Sequence, residues 1–169
     1  MRKSLVVLSF LLSSLIIFAN LAYAKENKID RSQLLETRIQ EWYKSIEGGN
    51  YEMTWELLHS RVKRDAYEGG RTEYVESLRK YFFPVVLTFN HKKTRTVNSK
   101  LAISMAELNI KANVKKFPNV KFPDTTICRG YIWIWEKDNW YFFEEFNCQD
   151  EEDAIKEMLQ WKDIRDADK

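Results

Sequence analysis

The sequence predicts an α+β fold: N-terminal helices packed on a curved antiparallel sheet of about four strands, plus a C-terminal helix. Three observations carry the prediction. Apolar residues recur at helical spacing from residue 31 to residue 82. From Val85 to Asn147 the period changes to two, in segments rich in β-branched and aromatic residues. Helices and strands are segregated rather than alternating, which excludes a parallel strand–helix–strand sheet.

Each element has its own signal. Ser32 caps a first helix whose Leu35, Ile39, Trp42 and Ile46 share one face, and Gly48-Gly49 stops it. Asn50 caps a second helix, with Glu52 in its first turn and Tyr51, Trp55, Leu58 and Val62 on its buried face. His59 falls near its end, where an imidazolium favours the helix dipole. Residues 64–71 form a loop. Thr72 begins a third helix with Val75, Leu78 and Phe82 inward, and Pro84 ends it. Val85–Val97 and Leu101–Val114 are strands joined by a turn at Asn98-Ser99-Lys100. Leu101, Ile103 and Met105 alternate in one phase, and Ala106, Leu108 and Ile110 in the other. That slip predicts a bulge near Met105-Ala106. Residues 115–125 contain Pro118 and Pro123 and read as a loop. Thr126–Glu136 and Trp140–Asn147 form a hairpin around Lys137-Asp138-Asn139. Asp150 caps a last helix reaching about Ile164, with Ile155, Met158, Leu159 and Lys162 on one face and an i,i+4 pair of Glu152 with Lys156.

The first 24 residues read as an address. Arg2 and Lys3 precede an apolar run to Phe18, and Ala22-Tyr23-Ala24 offers small residues at a cleavage site. The run is shorter than the roughly 20 residues a spanning helix needs. The expectation is therefore a secretory signal peptide cleaved after Ala24, an exported chain and no membrane anchor afterwards. The product would be periplasmic in a Gram-negative cell and otherwise secreted. Residues 25–169 then form one domain, with a core over about 31–149 and the C-terminal helix at 150–164. Arg2 and Lys3 are the only charges lost, so Lys+Arg falls from 27 to 25 and equals the 25 Asp+Glu. A neutral exported chain argues against nucleic acid as a partner.

Composition excludes other classes. Apolar residues make up 44% and charged residues 31%, which is globular rather than disordered. Two Cys and two His exclude a disulfide-dense miniprotein and a four-cysteine zinc site. No metal set, phosphate loop or Ser–His–Asp order is evident, and no cofactor is implied.

A three-residue hairpin loop would set Glu136 opposite Trp140. Counting outward pairs Ile134 with Phe142, Ile132 with Glu144, Gly130 with Phe146 and Cys128 with Cys148. In oxidising surroundings that last pair closes as a structural disulfide. Free thiols and a redox pair are the alternatives.

By the same count, Ile127, Tyr131, Trp133, Trp135, Tyr141 and Phe143 leave one face of the hairpin, and Ile132, Ile134, Trp140, Phe142 and Phe146 the other. Both faces therefore need cover. The N-terminal helices cover one; the C-terminal helix or a second subunit covers the other. The aromatic residues are either simple core or the walls of a ligand pocket beneath the helices, built from Trp42, Trp55, Phe89, Tyr131, Trp133, Trp135 and Phe143.

The step Gly48-Gly49-Asn50-Tyr51, followed by Thr54-Trp55-Glu56-Leu57-Leu58, resembles the nuclear transport factor 2-like superfamily. So does the late hairpin from Trp133 to Phe142. Asn50 stands where that superfamily usually has Asp. The resemblance covers residues of about 31–147. It implies a cone in which the sheet wraps the helices around a central pocket, often in a dimer built sheet to sheet. It implies no single activity, since the superfamily includes isomerases, dehydratases, hydrolases and binding modules. Its enzymes use a buried Asp, His or Tyr inside the cone.

Tested on this sequence, that chemistry points to His91, in phase with Val85, Leu87 and Phe89. A three-residue turn at 98–100 sets it opposite Glu107 as a His–carboxylate pair, and a bulge moves it away. Glu144 is either a buried acid or a wetted edge residue. Asp65 and Asp124 lie in solvated loops. Seven basic residues between Lys92 and Lys116 face Glu107 alone, whereas Glu144 to Lys169 holds ten acidic and four basic. These are solvated faces, or a basic patch for an acidic partner.

Three functions follow as expectations. The first is a non-catalytic binding module for a small apolar ligand or a protein, able to form a homodimer through the sheet. The second is a small lyase or isomerase with His91 or a pocket acid as base. The third is an envelope assembly component, against which cleavage of the leader argues.

Overall fold

The computed structural model describes residues 30–116, 118 and 123–168. The expected leader lies outside them. Among the described residues four helices come first: α1 (Arg31–Glu47), α2 (Tyr51–Glu56), α3 (Ser60–Asp65) and α4 (Gly70–Phe82). Four strands follow: β1 (Val85–Thr96), β2 (Leu101–Ala112), β3 (Thr125–Glu136) and β4 (Asn139–Asn147). A short 3-10 turn (Cys148–Asp150), α5 (Glu151–Met158) and α6 (Lys162–Arg165) close the chain. The strands form one antiparallel sheet in the order β1-β2-β3-β4. The predicted α+β class is what the chain adopts.

α1 buries Leu35, Ile39, Trp42, Tyr43 and Ile46 against the sheet. It ends because Gly49 takes a φ of 69°, open to glycine without a Cβ penalty. The Asn50 N–H then donates to the Ser45 carbonyl at 2.8 Å and Gly49 N–H to Ile46 at 3.1 Å, satisfying the last carbonyls of the helix. Asn50 caps α2 by accepting from the Met53 N–H at 3.3 Å.

The expected single second helix is two. Leu57–His59 leaves helical geometry and runs along the outer edge of β4. The Phe142 N–H donates to Leu57 and the His59 N–H donates to Phe142, both at 2.8 Å. The edge of the sheet thus competes for backbone groups the helix would have used. His59 consequently begins α3 rather than ending α2: its Nδ1 accepts from the Arg61 N–H at 3.2 Å.

Turn 98–100 has the predicted length, with the Asn98 side chain accepting from the Lys100 and Leu101 N–H groups at 2.9 Å each. The expected bulge is on the other strand. β1 shifts register between His91 and Lys93, whereas β2 pairs without interruption on β3. The apolar phase of β2 changes because both its faces are covered in its first half. Leu101 and Ile103 face the C-terminal helices, while Ala102, Ala106, Leu108 and Ile110 face the N-terminal ones.

The β3–β4 turn is also shorter than expected. Lys137 and Asp138 have φ of 49° and 60° and form a two-residue turn that sets Glu136 opposite Asn139. Ile134 therefore faces Tyr141, not Phe142, and Trp140 and Phe142 join Trp133 on the helix side. A register shift between Ile132 and Trp133 then restores the count. Ile132 meets Glu144, Gly130 meets Phe146, and Cys128 and Cys148 form a disulfide with Cα atoms 5.6 Å apart. Gly130 leaves room for its neighbour across the ladder: a Cβ there would fall on the Phe146 ring, which would have to shift.

Two apolar clusters sandwich the sheet. α1–α4 pack on one face. On the other, Ile155, Met158 and Ile164 cover Leu101, Ile103, Ile132 and Ile134. The C-terminal helix breaks after Met158, and Trp161 is wedged against Phe143, with ring centroids 5.1 Å apart, under the Arg61 guanidinium at 4.1 Å. Lys156 pairs with Asp153 at 3.0 Å rather than with Glu152.

Candidate functional site

A cavity of about 370 Å³ lies between the N-terminal helices and the sheet. α1 supplies Trp42 and Ile46, α3 supplies Val62, α4 supplies Tyr74, Leu78 and Phe82, and Tyr67 closes in from the loop before α4. The sheet supplies Leu87, Phe89, Leu108, Tyr131 and Phe142. Leu58 reaches it from the segment that rides on β4. Glu144 and Glu145 complete the wall from the end of β4. Its size falls near the lower end of the range for small-molecule sites, about 300–1,000 Å³.

The walls hold one another in place. The Trp42 and Phe142 rings stack at 4.1 Å and Tyr43 stacks on Phe89 at 4.6 Å. Burial pushes the Tyr74 and Tyr131 hydroxyls well above their ordinary pKa, so both are neutral donors at physiological pH. Tyr74 is hydrogen-bonded to Thr54. Tyr131 is 3% exposed and makes no hydrogen bond to any described residue. Directly across from it in β4 stands Glu145.

The pocket residues expected from the sequence divide. Trp42, Phe89 and Tyr131 line the cavity. Trp133 does not: it is wholly buried and donates through Nε1 to the Ser104 hydroxyl at 2.9 Å, beside Tyr43, whose hydroxyl is 3.4 Å from the same oxygen. Burial lifts the Tyr43 pKa to about 12. Trp55 is turned to Tyr67 and Tyr74, and Trp135 to Trp140. Phe143 borders the cavity, but its ring packs on Trp161 and His59 on the far face. Ile46, Leu58, Val62, Tyr67, Tyr74, Leu78, Phe82, Leu87, Leu108, Phe142 and Glu145 also line the cavity, and the sequence pattern does not single them out as pocket walls. Tyr67 sits in a loop and carries no periodic signal. Phe142 could be assigned only with the turn length known.

His91 and Glu107 are not a pair. The extra residue at Lys92 sets His91 opposite Ala106, on the helix side, and Glu107 opposite Asn90, on the other face. His91 Nε2 lies 3.1 Å from the Thr94 hydroxyl, and its ring does not line the cavity. Glu107 bonds Lys92 at 2.8 Å, and that hydrogen bond holds its carboxyl below the usual range. Glu144 is exposed, opposite Ile132; desolvation first, and then Glu157, raise its pKa.

The uneven charge has an internal explanation. Lys93 reaches Glu151 at 2.6 Å, and Arg95 reaches Glu151 at 3.1 Å and Glu152 at 2.9 Å. The basic strand and the acidic C-terminal helix are thus each other's partners, and these pairs dock α5 on the sheet. Among the described residues no group of three His, Cys, Asp or Glu side chains is placed to hold a metal ion, and no helix is long and apolar enough to cross a membrane.

Helices on one face of a four-stranded antiparallel sheet, with a cavity between, define the nuclear transport factor 2-like, or cystatin-like, α+β fold. The likeness to solved structures is one of fold alone. A protein designated Rd1NTF2_05, bearing a set of substitutions, superposes with a TM-score of 0.50 at 12% identity, over 69% of this chain and 97% of that one. An NTF-2 like protein of unknown function from Shewanella oneidensis MR-1 gives 0.49 at 10% identity, over 68% and 95%. An uncharacterized protein with a cystatin-like fold from Caulobacter vibrioides gives 0.49 at 12% identity, over 75% and 99%. No family model matches the sequence, and no curated protein matches it.

Proposed function

We propose that this protein is an exported, non-catalytic binding module that holds a small apolar ligand between its helices and its sheet. The observation that carries this is the cavity, walled almost entirely by aromatic and aliphatic side chains that pack on one another rather than collapsing into it. The residues best suited to acid–base work, His91 and Glu107, are not among its walls and do not meet. The cavity lies within one chain, so binding needs no partner subunit. The leader read from residues 1–24 supports export, and the mass of protein recovered from the exported fraction tests cleavage after Ala24.

The test is a neutral fluorescent probe, N-phenyl-1-naphthylamine. The wild-type chain should bind it saturably with enhanced emission. Leu78→Trp and Val62→Phe, which fill the cavity from α4 and α3, should abolish that binding while thermal unfolding stays cooperative. Undiminished binding by both folded variants overturns the proposal. A lyase or isomerase with a pocket acid as base stands second, on the placement of Glu145 opposite Tyr131.

A further inference from the structure

Three tyrosines between the helices and the sheet, Tyr43, Tyr74 and Tyr131, are each 3% exposed. Two of their hydroxyls have partners. Tyr43 meets the Ser104 hydroxyl at 3.4 Å, and Tyr74 is hydrogen-bonded to Thr54. The Tyr131 hydroxyl makes no hydrogen bond to any described residue, and Glu145, opposite it in the ladder, stays exposed. A buried phenol ordinarily finds a partner, because its O–H gives up water on folding.

The hydroxyl is not sealed into the packing either. Among the described residues, His91 Nδ1 is the one buried side-chain nitrogen or oxygen that is enclosed without a partner. The Tyr131 oxygen therefore keeps open surface, and the space its side chain borders is the cavity. The ring is held by its neighbours, with centroids 5.7 Å from Tyr43, 6.1 Å from Phe142 and 6.2 Å from Phe89. An arriving oxygen would find the donor already in place, so little ordering opposes the bond. Burial first, and then Tyr43 and Glu145, keep the proton on this hydroxyl, with Arg129 opposing.

We infer that the ligand of this cavity is a largely apolar molecule carrying one hydrogen-bond-accepting oxygen, such as a carbonyl or an ether, that accepts from the Tyr131 hydroxyl. The disfavoured class is the plain hydrocarbon, which would fill the same walls and leave that hydroxyl stripped of water and unpaired. This rests on the binding reading above and adds to it a polar anchor and the place of that anchor.

Two probes of nearly one shape separate the two claims. 1-Tetralone and tetralin differ by a carbonyl oxygen, and each competes with N-phenyl-1-naphthylamine for the wild-type chain at pH 7. Tetralin reports the apolar cavity alone. The quantity read is the affinity of 1-tetralone divided by that of tetralin, in which changes common to both cancel. Tyr131→Phe should lower this ratio about fivefold, the scale of one hydrogen bond between uncharged groups, with tetralin affinity unchanged. That variant gives up no hydrogen bond within the protein and should melt no lower than wild type. Tyr74→Phe, whose hydroxyl is committed to Thr54, should leave the ratio as it is. In the wild-type complex the infrared carbonyl stretch of bound 1-tetralone should lie below its frequency in hexane. If tetralin binds and the ratio is the same with and without the Tyr131 hydroxyl, or the wild-type stretch matches hexane, the acceptor assignment is overturned while the apolar cavity stands. An equal fall in Tyr74→Phe overturns Tyr131 as the anchor. If neither probe competes, both readings fall together.

Discussion

Reducing the Cys128–Cys148 bond should cost the fold a definite amount. The two residues are 20 apart in sequence. In the chain-entropy model, closing a loop of that size removes freedom from the unfolded chain worth about 3 kcal/mol at room temperature. The enclosed segment is the β3–β4 hairpin, held by its own ladder and two-residue turn, so most of the effect should act through the unfolded state. For a domain of this size each kcal/mol shifts the melting temperature by about 3 °C, giving a fall of about 10 °C on reduction. The assay is thermal unfolding by circular dichroism with and without a phosphine reductant, with mass spectrometry confirming two free thiols. The double variant Cys128→Ala, Cys148→Ala should melt near the reduced wild type and be indifferent to reductant. A fully reduced chain whose melting temperature falls by less than about 2 °C would refute the reasoning, because it would mean the hairpin constrains the unfolded chain as strongly as the bond does.

Two other perturbations test the local geometry. Gly130→Ala places a methyl on the Phe146 ring across the ladder, so the ring must move, at a cost of about 1–3 kcal/mol read as a lower urea midpoint. His59 titrates below its ordinary value because desolvation outweighs Glu136, 3.6 Å away, with Asp163 also favouring the charged form and Arg61 and Arg64 opposing it. The unfolded chain therefore takes up the proton first as pH falls. The stability that the neutral ring contributes is complete above about 6.5 and is lost as pH drops through its folded pKa. His59→Asn keeps a capping acceptor and should lose less melting temperature than wild type between pH 7.5 and pH 5; equal losses would show that other groups carry the acid sensitivity.

Much of the fold was legible because burial enforces period. Leu35, Ile39, Trp42 and Ile46 mark α1 without ambiguity, and the change at Pro84 to alternating residues marks the sheet. What failed was decided by single residues. A two-residue turn and one register shift in β3–β4 sum to the three-residue loop expected, so the cysteines met as counted although Trp140 and Phe142 changed faces. The phase change in β2 was read as a bulge because a strand buried on both faces has no polar side to fix its phase. The real bulge, at Lys92, falls among exposed residues, where a sequence pattern constrains nothing. That one residue removed the His91–Glu107 pair. The cavity was harder still, since lining residues differ from core residues only in what the opposite wall fails to fill. Trp133 and Phe89 look alike in sequence, yet one is sealed behind Ser104 and the other is a wall.

The bulge at Lys92 also bears on how the chain behaves in a crowd. A four-stranded sheet has two outer strands, each with a row of backbone groups able to recruit a strand from another molecule. On β4 part of that row is already taken by Leu57 and His59. β1 is the longer hazard, twelve residues with no strand beyond it among the described residues. The strand is kinked by the extra residue at Lys92, so an incoming strand would meet a broken ladder. Straightening that edge by deleting Lys92 should make β1 a better template for a strand from another molecule.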